Sequence, residues 1–574
     1  MEMFQYELLS DDASAFRLLA LSPGMGDAPI NGTLSEDSRE VSTFSYEALS
    51  YTWGSSTSQQ HIILNNKSFA VTPNLYLALR NLRSDDSERI LWVDAICINQ
   101  SCPMEKTQQV SQMRNIYQAA ESVLVWLGEG TEETGRALSW VASHSKDGEQ
   151  DLKHLEQTAR FIMDATPETP IEIEDDDSMG SGGLEAQDRR IQLLAGFSDL
   201  LSRPWWSRVW VIQEAVVNSD VRILCGHSQV SWTTFMAFTQ GIYRSKPLLK
   251  APLDETIKYH RAIERAFSRN QFMHQSPQKF LNLLLQYRGL DSSDPRDNVY
   301  ALLGLASNMS NTKFSPDYSK STSEVYRQLT RQIVKRHKDL TIICASQPPS
   351  VSTNNLPFWT PDWSAPWKTF CFAQVPYNAC SFHTPDVTFS KDLTRLKATG
   401  LTISVIESTS ATYETSGPTL VAWLKSVKNW RTLIGNWDNG SRPFAFDDFR
   451  QTYTQHVPGA ELSYSVNFSR QTRKRAHKRS KKDVLRFQTQ MNTMCWNRKV
   501  AHMRRGGREA LVPSHARPGD EICVLYGCRV PVVLRSSGVD SWTFIGDAYV
   551  DGCMHGQVFN GYAQSDETQV FCFR

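Results

Sequence analysis

Residues 202–215 read Ser-Arg-Pro-Trp-Trp-Ser-Arg-Val-Trp-Val-Ile-Gln-Glu-Ala, an unusual density of aromatic, basic and acidic side chains. Pro204 suits a first helical turn with Ser202 as its cap. The spacing then predicts one helix on which Trp206, Trp210 and Glu214 stack at i, i+4 and i+8, with Gln213 alongside. Val209, Ile212 and Val216 form a second apolar face, so the helix is buried on both sides. A carboxylate in such a place must be hydrogen-bonded, paired with a base, or protonated. Glu214 therefore has two readings. It is a catalytic acid in an aromatic-walled pocket, or it is half of a structural ion pair with Arg203 or Arg208.

A second polar group follows the apolar run Ile90-Leu91-Trp92-Val93, which is too short for a helix and ends at Asp94. Ligands of parallel sheets sit beyond the carboxyl ends of the strands, which puts Asp94, Asn99 and Gln100 at the rim of a site. The alternative is that Asp94 and Asn99 only shape the turn out of the strand. Familiar signatures are missing: no G-x-G-x-x-G, Walker A loop, H-E-x-x-H or G-x-S-x-G occurs. Gly226-His227-Ser228-Gln229-Val230 comes nearest to the last and lacks its closing glycine. A dispersed triad stays open, because triads are recognised by geometry and not by spacing.

The elements that must hold these residues alternate in type. Phe44 to Trp53 reads as a strand closed by Gly54, and segments 61–64 and 68–71 as a hairpin around Asn65-Asn66. Leu75, Ala78, Leu79 and Leu82 recur at helical spacing, as do Val110, Met113, Ile116, Tyr117 and Ala120. Ser122 to Leu127 is a further strand ending at Gly128. Strand, helix and strand in about 40 residues make a βαβ unit, so a mostly parallel sheet with helices on its faces is expected. The polar stretch from Ser22 to Ser42 reads as a loop. Asp294-Pro295-Arg296-Asp297 opens a helix, and Ser323 to His337 is another. Leu356 to Trp367 reads as an irregular packed loop, and Trp423, Trp430 and Trp437 fall in expected helix. Beyond residue 392 short β segments dominate, and four of them over 522–550 read as an antiparallel meander.

The chain has 574 residues with 61 bases and 61 acids, and the balance excludes a generally basic nucleic-acid binder. No window approaches the roughly 18 apolar residues of a membrane span, and the start has no secretory pattern. The 11 cysteines lack C-x-x-C spacing and read as free thiols in a reducing cytosol, with no metal site. Two charged segments stand apart. Residues 167–183 are acidic and glycine-rich, a solvated insertion or a docking site. Residues 470–482 carry eight bases and no acid, either a solvated face or a nuclear-import signal. Few aromatic partners accompany that run, so nucleic-acid reading is not expected.

Three blocks resemble the fungal heterokaryon-incompatibility (HET) domain, in that family's order. They are Tyr46-Glu-Ala-Leu-Ser-Tyr-Thr-Trp-Gly54, Leu91-Trp-Val-Asp-Ala-Ile-Cys-Ile-Asn-Gln100 and Trp206-Ser-Arg-Val-Trp-Val-Ile-Gln-Glu214. The resemblance implies an N-terminal segment 1–43, a HET domain 44–217, a helical extension 218–345 and an α+β C-terminal region 346–574. It also implies a role in non-self recognition, ending in growth arrest or regulated cell death. The order of elements is similar to Toll/interleukin-1-receptor (TIR) domains, which implies a TIR-like, flavodoxin-like α/β sheet. Several TIR domains cleave NAD with a helical glutamate. By that analogy Glu214 is the catalytic residue, with NAD as substrate and no cofactor. Trp206 and Trp210 would stack on its rings, and Asp94 or Asn99 would hold its ribose. Self-association or protein partners are then expected, in the cytoplasm or, through the basic run, the nucleus. The alternative is a signalling or adaptor module without chemistry.

Overall fold

The central strands are short apolar runs between turn-forming residues. A computed structural model describes the chain except residues 11, 39–44, 55–57, 144–182, 244–278, 310–313, 348–354, 414–494, 505–508, 539, 560–567 and 574. The acidic insertion as far as residue 182, the basic run and the three tryptophans at 423, 430 and 437 thus lie outside the described residues. The chain divides into two units, the first formed mainly by residues 1–280 and the second mainly by 320–574.

The first unit is built on a mixed nine-stranded sheet in the order β5-β4-β2-β1-β6-β3-β7-β8-β9. Its strands are β1 (Ala15–Leu21), β2 (Asn31–Ser38), β3 (Glu47–Tyr51), β4 (Gln60–Leu64), β5 (Lys67–Val71), β6 (Arg89–Trp92), β7 (Ser122–Trp126), β8 (Val221–Cys225) and β9 (Ser228–Ser231). The neighbours β6, β3, β7 and β8 run parallel, and in chain order they stand second, first, third and fourth. All five residues of β7 are buried, as a strand covered on both faces must be. The helix Pro103–Ala119 turns Val110, Met113, Ile116 and Tyr117 inward, and Thr72 caps the helix Pro73–Leu82 by accepting from the Leu75 amide.

The expectation of a mostly parallel sheet is corrected by four antiparallel pairs, β1–β2, β1–β6, β4–β5 and β8–β9. The expected loop 22–42 instead contains β2. Only Gly32 and Leu34 of that strand are buried, and its polar remainder looks like loop until β1 supplies the partner. The hairpin at Asn65-Asn66 forms as expected, with both residues at positive φ of 48° and 63°.

Gly196 brings the helix Gly183–Ser202 against the helix Glu132–Ser143. A Cβ at Gly196 would lie 2.2 Å from the Glu133 carbonyl oxygen and 3.0 Å from Ala137 Cβ. Gly196→Ala is therefore expected to force the helices apart and cost about 1–3 kcal/mol in a denaturation measurement. Unchanged stability would contradict this close approach.

The second unit is β-rich. Its helix Thr322–His337 starts in a capping box between Ser321 and Glu324. The strands are β10 (Val387–Phe389), β11 (Leu396–Thr409), β12 (Arg498–Met503), β13 (Glu509–Pro513), β14 (Glu521–Leu525), β15 (Val532–Gly538), β16 (Ser541–Asp547), β17 (Tyr549–Val550) and β18 (Gln569–Phe573). The expected meander is present as β14–β15–β16, but β17 leaves it to pair with β13. Because β11 pairs with both β14 and β18, and β18 meets β16, the ring β11-β14-β15-β16-β18 closes on itself as a barrel. Ile522, Val524, Val533 and Ile545 pack in its core.

One ion pair is sealed in this unit. Arg498 on β12 and Asp547 at the end of β16 meet at 2.7 Å with side-chain exposures of 0% and 4%. The Arg498 guanidinium also donates to the Phe370 carbonyl and lies 4.2 Å from the Phe372 ring centroid, while the Phe372 amide donates to the Asp547 carboxylate at 2.5 Å.

All eleven cysteines are free. Among the described residues no helix is long and apolar enough to cross a membrane, and no group of three acidic, histidine or cysteine side chains could hold a metal.

Candidate active site

The segment expected to be one helix is broken. Pro204–Ser207 is a 3₁₀ turn, and an α-helix resumes only at Val211–Val216. The cause is a long-range bridge. The Val209 amide donates to the Asp291 carbonyl at 3.0 Å and the Asp291 amide to the Ser207 carbonyl at 2.8 Å, which draws the chain out of helix between the two pieces. Ser202 ends the preceding helix and is not the cap of the turn, whose cap position is Arg203.

The break separates Trp206 from Glu214. Trp206 is buried, stacked on Phe235 at 5.7 Å and edge-on to Trp205 at 4.9 Å, so its ring is spent on packing. Trp210 is half-buried at the cap of the Val211–Val216 helix, where its carbonyl accepts from the Glu214 amide at 3.1 Å. Asn99 shapes its own turn: its side-chain oxygen accepts from the Ser101 hydroxyl at 2.6 Å, and its amide donates to Glu105 at 2.7 Å. Gln100 donates to the Asp94 carbonyl at 3.0 Å.

Glu214 and Asp94, by contrast, share a cluster. Glu214 is 1% exposed and accepts from the Ser50 hydroxyl, which in turn accepts from the Trp205 indole at 2.8 Å. Arg208 stands 3.9 Å from the Glu214 carboxylate and donates to the Tyr51 carbonyl. Arg203, the other base considered, pairs with Asp199 at 2.6 Å. The parallel register of β3 and β6, Ala48 opposite Trp92, puts Asp94 just past the end of β6 at the level of Ser50. Asp94 accepts from the Trp53 indole at 2.9 Å and from the Ala95 amide at 2.7 Å.

Burial pushes Glu214 up to about 7, against the pull of Arg208 and the Ser50 hydrogen bond, and the nearby Asp94 adds to the rise. Asp94 is part-exposed as a residue, yet its carboxyl sits deep enough that burial raises it too, opposed first by Arg208. The buried Tyr51 hydroxyl lies in the same electrostatic cluster, short of a full hydrogen bond. Two acids thus share one base at the carboxyl ends of parallel strands, where Asp94 disfavours ionisation of Glu214.

Ser50, Tyr51 and Trp53 did not stand out in the sequence. The rule that placed Asp94 beyond β6 applies equally to β3, and Tyr51-Thr52-Trp53-Gly54 is where it would have found them.

Residues 46–214 match the family model described as heterokaryon incompatibility protein (HET). This is a heterokaryon-incompatibility (HET) domain protein. Residues 445–570 match the Het-6 beta-barrel domain, in agreement with the closed ring of strands in the second unit. Heterokaryon incompatibility protein 6, OR allele, of Neurospora crassa is 24% identical, in an alignment that covers 98% of this chain and 97% of that protein. No solved structure matches the chain. All three blocks of the HET domain contribute to the cluster: Ser50, Tyr51 and Trp53 from the first, Asp94 from the second, Arg208 and Glu214 from the third. Membership of this family supports a role in fungal non-self recognition.

Proposed function

We propose that this HET domain acts in non-self recognition by cleaving NAD, and that loss of NAD leads to growth arrest or cell death. The observation that carries the reading is the Asp94–Arg208–Glu214 cluster at the carboxyl ends of parallel strands in the order second, first, third, fourth. That order is the flavodoxin-like one, whose ligands sit at this edge of the sheet. It also supports the likeness to TIR domains, though by fold-level analogy.

In the reaction the bond between nicotinamide and the ribose C1′ breaks, and its electron pair leaves with the nicotinamide nitrogen. Positive charge develops on the ribose ring, and the two carboxyls supply the opposing negative charge. Water adds at C1′ and loses a proton, giving ADP-ribose and nicotinamide. The ionised form of Glu214 is the useful one. With its carboxyl at about 7, turnover is expected to climb as pH rises from 6 to 8 and then level off. Free thiols at every cysteine suit a cytosolic setting, and self-association is the expected active state.

The test is nicotinamide release by the concentrated full chain. Glu214→Gln is expected to lower it by about 100-fold or more. A folded, concentrated wild type that releases none would defeat the reading.

One observation favours a second reading. Glu214 is sealed from solvent by Ser50 and held by Arg208, as a structural acid in a signalling module without chemistry would be.

A further inference from the structure

We propose that Trp53 is the platform on which this site takes a planar aromatic cation, with Asp94 holding the indole and supplying the counter-charge. The proposal rests on the NAD reading for the identity of the ring, a pyridinium, and on the structure of the Trp53 turn for everything else.

Of the tryptophans around the site, Trp92, Trp126, Trp205 and Trp206 are buried and Trp210 is half-buried, whereas Trp53 is 36% exposed. Its indole N–H is committed to Asp94 at 2.9 Å, so the ring is held by its edge. Among the described residues no ring and no cation of the chain covers either face. Arg208, the nearby base, is already engaged by Glu214 and the Tyr51 carbonyl.

The turn that carries Trp53 is also braced. The Asn74 amide donates to the Thr52 carbonyl at 2.6 Å, and the Trp126 indole donates to Asn74 at 3.1 Å. Gly54 follows at φ +77°, a conformation that favours glycine. An exposed indole on a braced turn loses little freedom when a ligand settles on it.

The chemistry of the two groups selects the ligand. An indole face attracts cations more strongly than any other side-chain ring. The Asp94 carboxylate at the indole edge reinforces that preference and repels anions. A flat ring carrying delocalised positive charge satisfies both the face and the carboxylate. The oxidised pyridinium of NAD has that character and the reduced, neutral ring does not.

The experiment uses the full chain and needs no turnover. Binding of 1-methylnicotinamide, a pyridinium without ribose, is measured by calorimetry beside neutral nicotinamide, for wild type and for Trp53→Ala, Trp53→Phe and Asp94→Asn. Wild type is expected to prefer the cation by at least about tenfold, Trp53→Ala to lose that preference, and Trp53→Phe to keep part of it. Melting of Trp53→Ala reports whether the fold is intact. A folded wild type that binds no cation, equal binding of the cation and the neutral ring, or a folded Trp53→Ala that binds like wild type would each overturn the proposal. Nicotinamide release from NAD separates the two claims. Trp53-dependent binding of the cation without release sinks the NAD reading and leaves the platform standing. Release with a KM unchanged by Trp53→Ala does the reverse.

Discussion

Asp547→Ala is expected to destabilise the barrel unit by about 3–5 kcal/mol, because it leaves the Arg498 guanidinium buried without its counter-charge. Arg498 is fully enclosed, and its remaining partners are carbonyl oxygens and the Phe372 ring. They cannot neutralise it. The Phe372 amide loses its acceptor in the same substitution. Replacing both charges, Arg498→Met with Asp547→Leu, is expected to recover most of the loss, since a well-packed apolar pair of similar volume avoids the desolvation cost. Chemical denaturation of the three proteins checks this. A loss below about 1 kcal/mol for Asp547→Ala would mean that the pair relaxes to solvent, as exposed pairs do.

Glu214→Gln is expected to make the protein more stable at pH 8. Burial raises the Glu214 carboxyl from an ordinary 4.5 to about 7, so the folded state holds its proton more tightly than the unfolded chain does. The stability linked to that proton is fully present below about pH 4.5 and is lost as pH rises through 7. The loss amounts to about 2–4 kcal/mol across the window. Glutamine mimics the protonated form and can still accept from Ser50, so the variant escapes the loss. Its advantage should be largest above pH 7 and should shrink toward pH 4.5. Arg208 is 18% exposed and retains the Tyr51 carbonyl, so it is not stranded. If the variant instead melts lower at pH 8, Glu214 is an ionised structural partner and the reading without chemistry gains.

Much of the site was legible because burial and chemistry coincide in sequence. Asp94 ends an apolar run, and Glu214 lies among residues that must all face inward, so both acids could be named without coordinates. The break between Ser207 and Val211 could not. It depends on Asp291, 82 positions after Val209, and helical spacing carries no trace of a bridge made at that distance. Trp206 was assigned to the site for the same reason, since its place in the ligand wall assumed an unbroken helix. The polar strand β2 escaped notice because an outer strand needs few apolar residues when a neighbour supplies the core. Closure of the barrel was hidden as well: a meander shows itself in local alternation, but the pairing of β11 with β14 and β18 is a matter of topology.

That topology has a consequence for synthesis of the chain on the ribosome. β11 is finished some 110 residues before β14 begins and 160 before β18, the two strands that flank it in the ring. Until β12 and then these two emerge, the nascent polypeptide carries a long strand paired only at its first three residues, to β10, and such an edge invites pairing with the wrong chain. The barrel therefore cannot assemble in step with translation. It must be held open, or held apart from its neighbours, until the strand that completes the circle arrives.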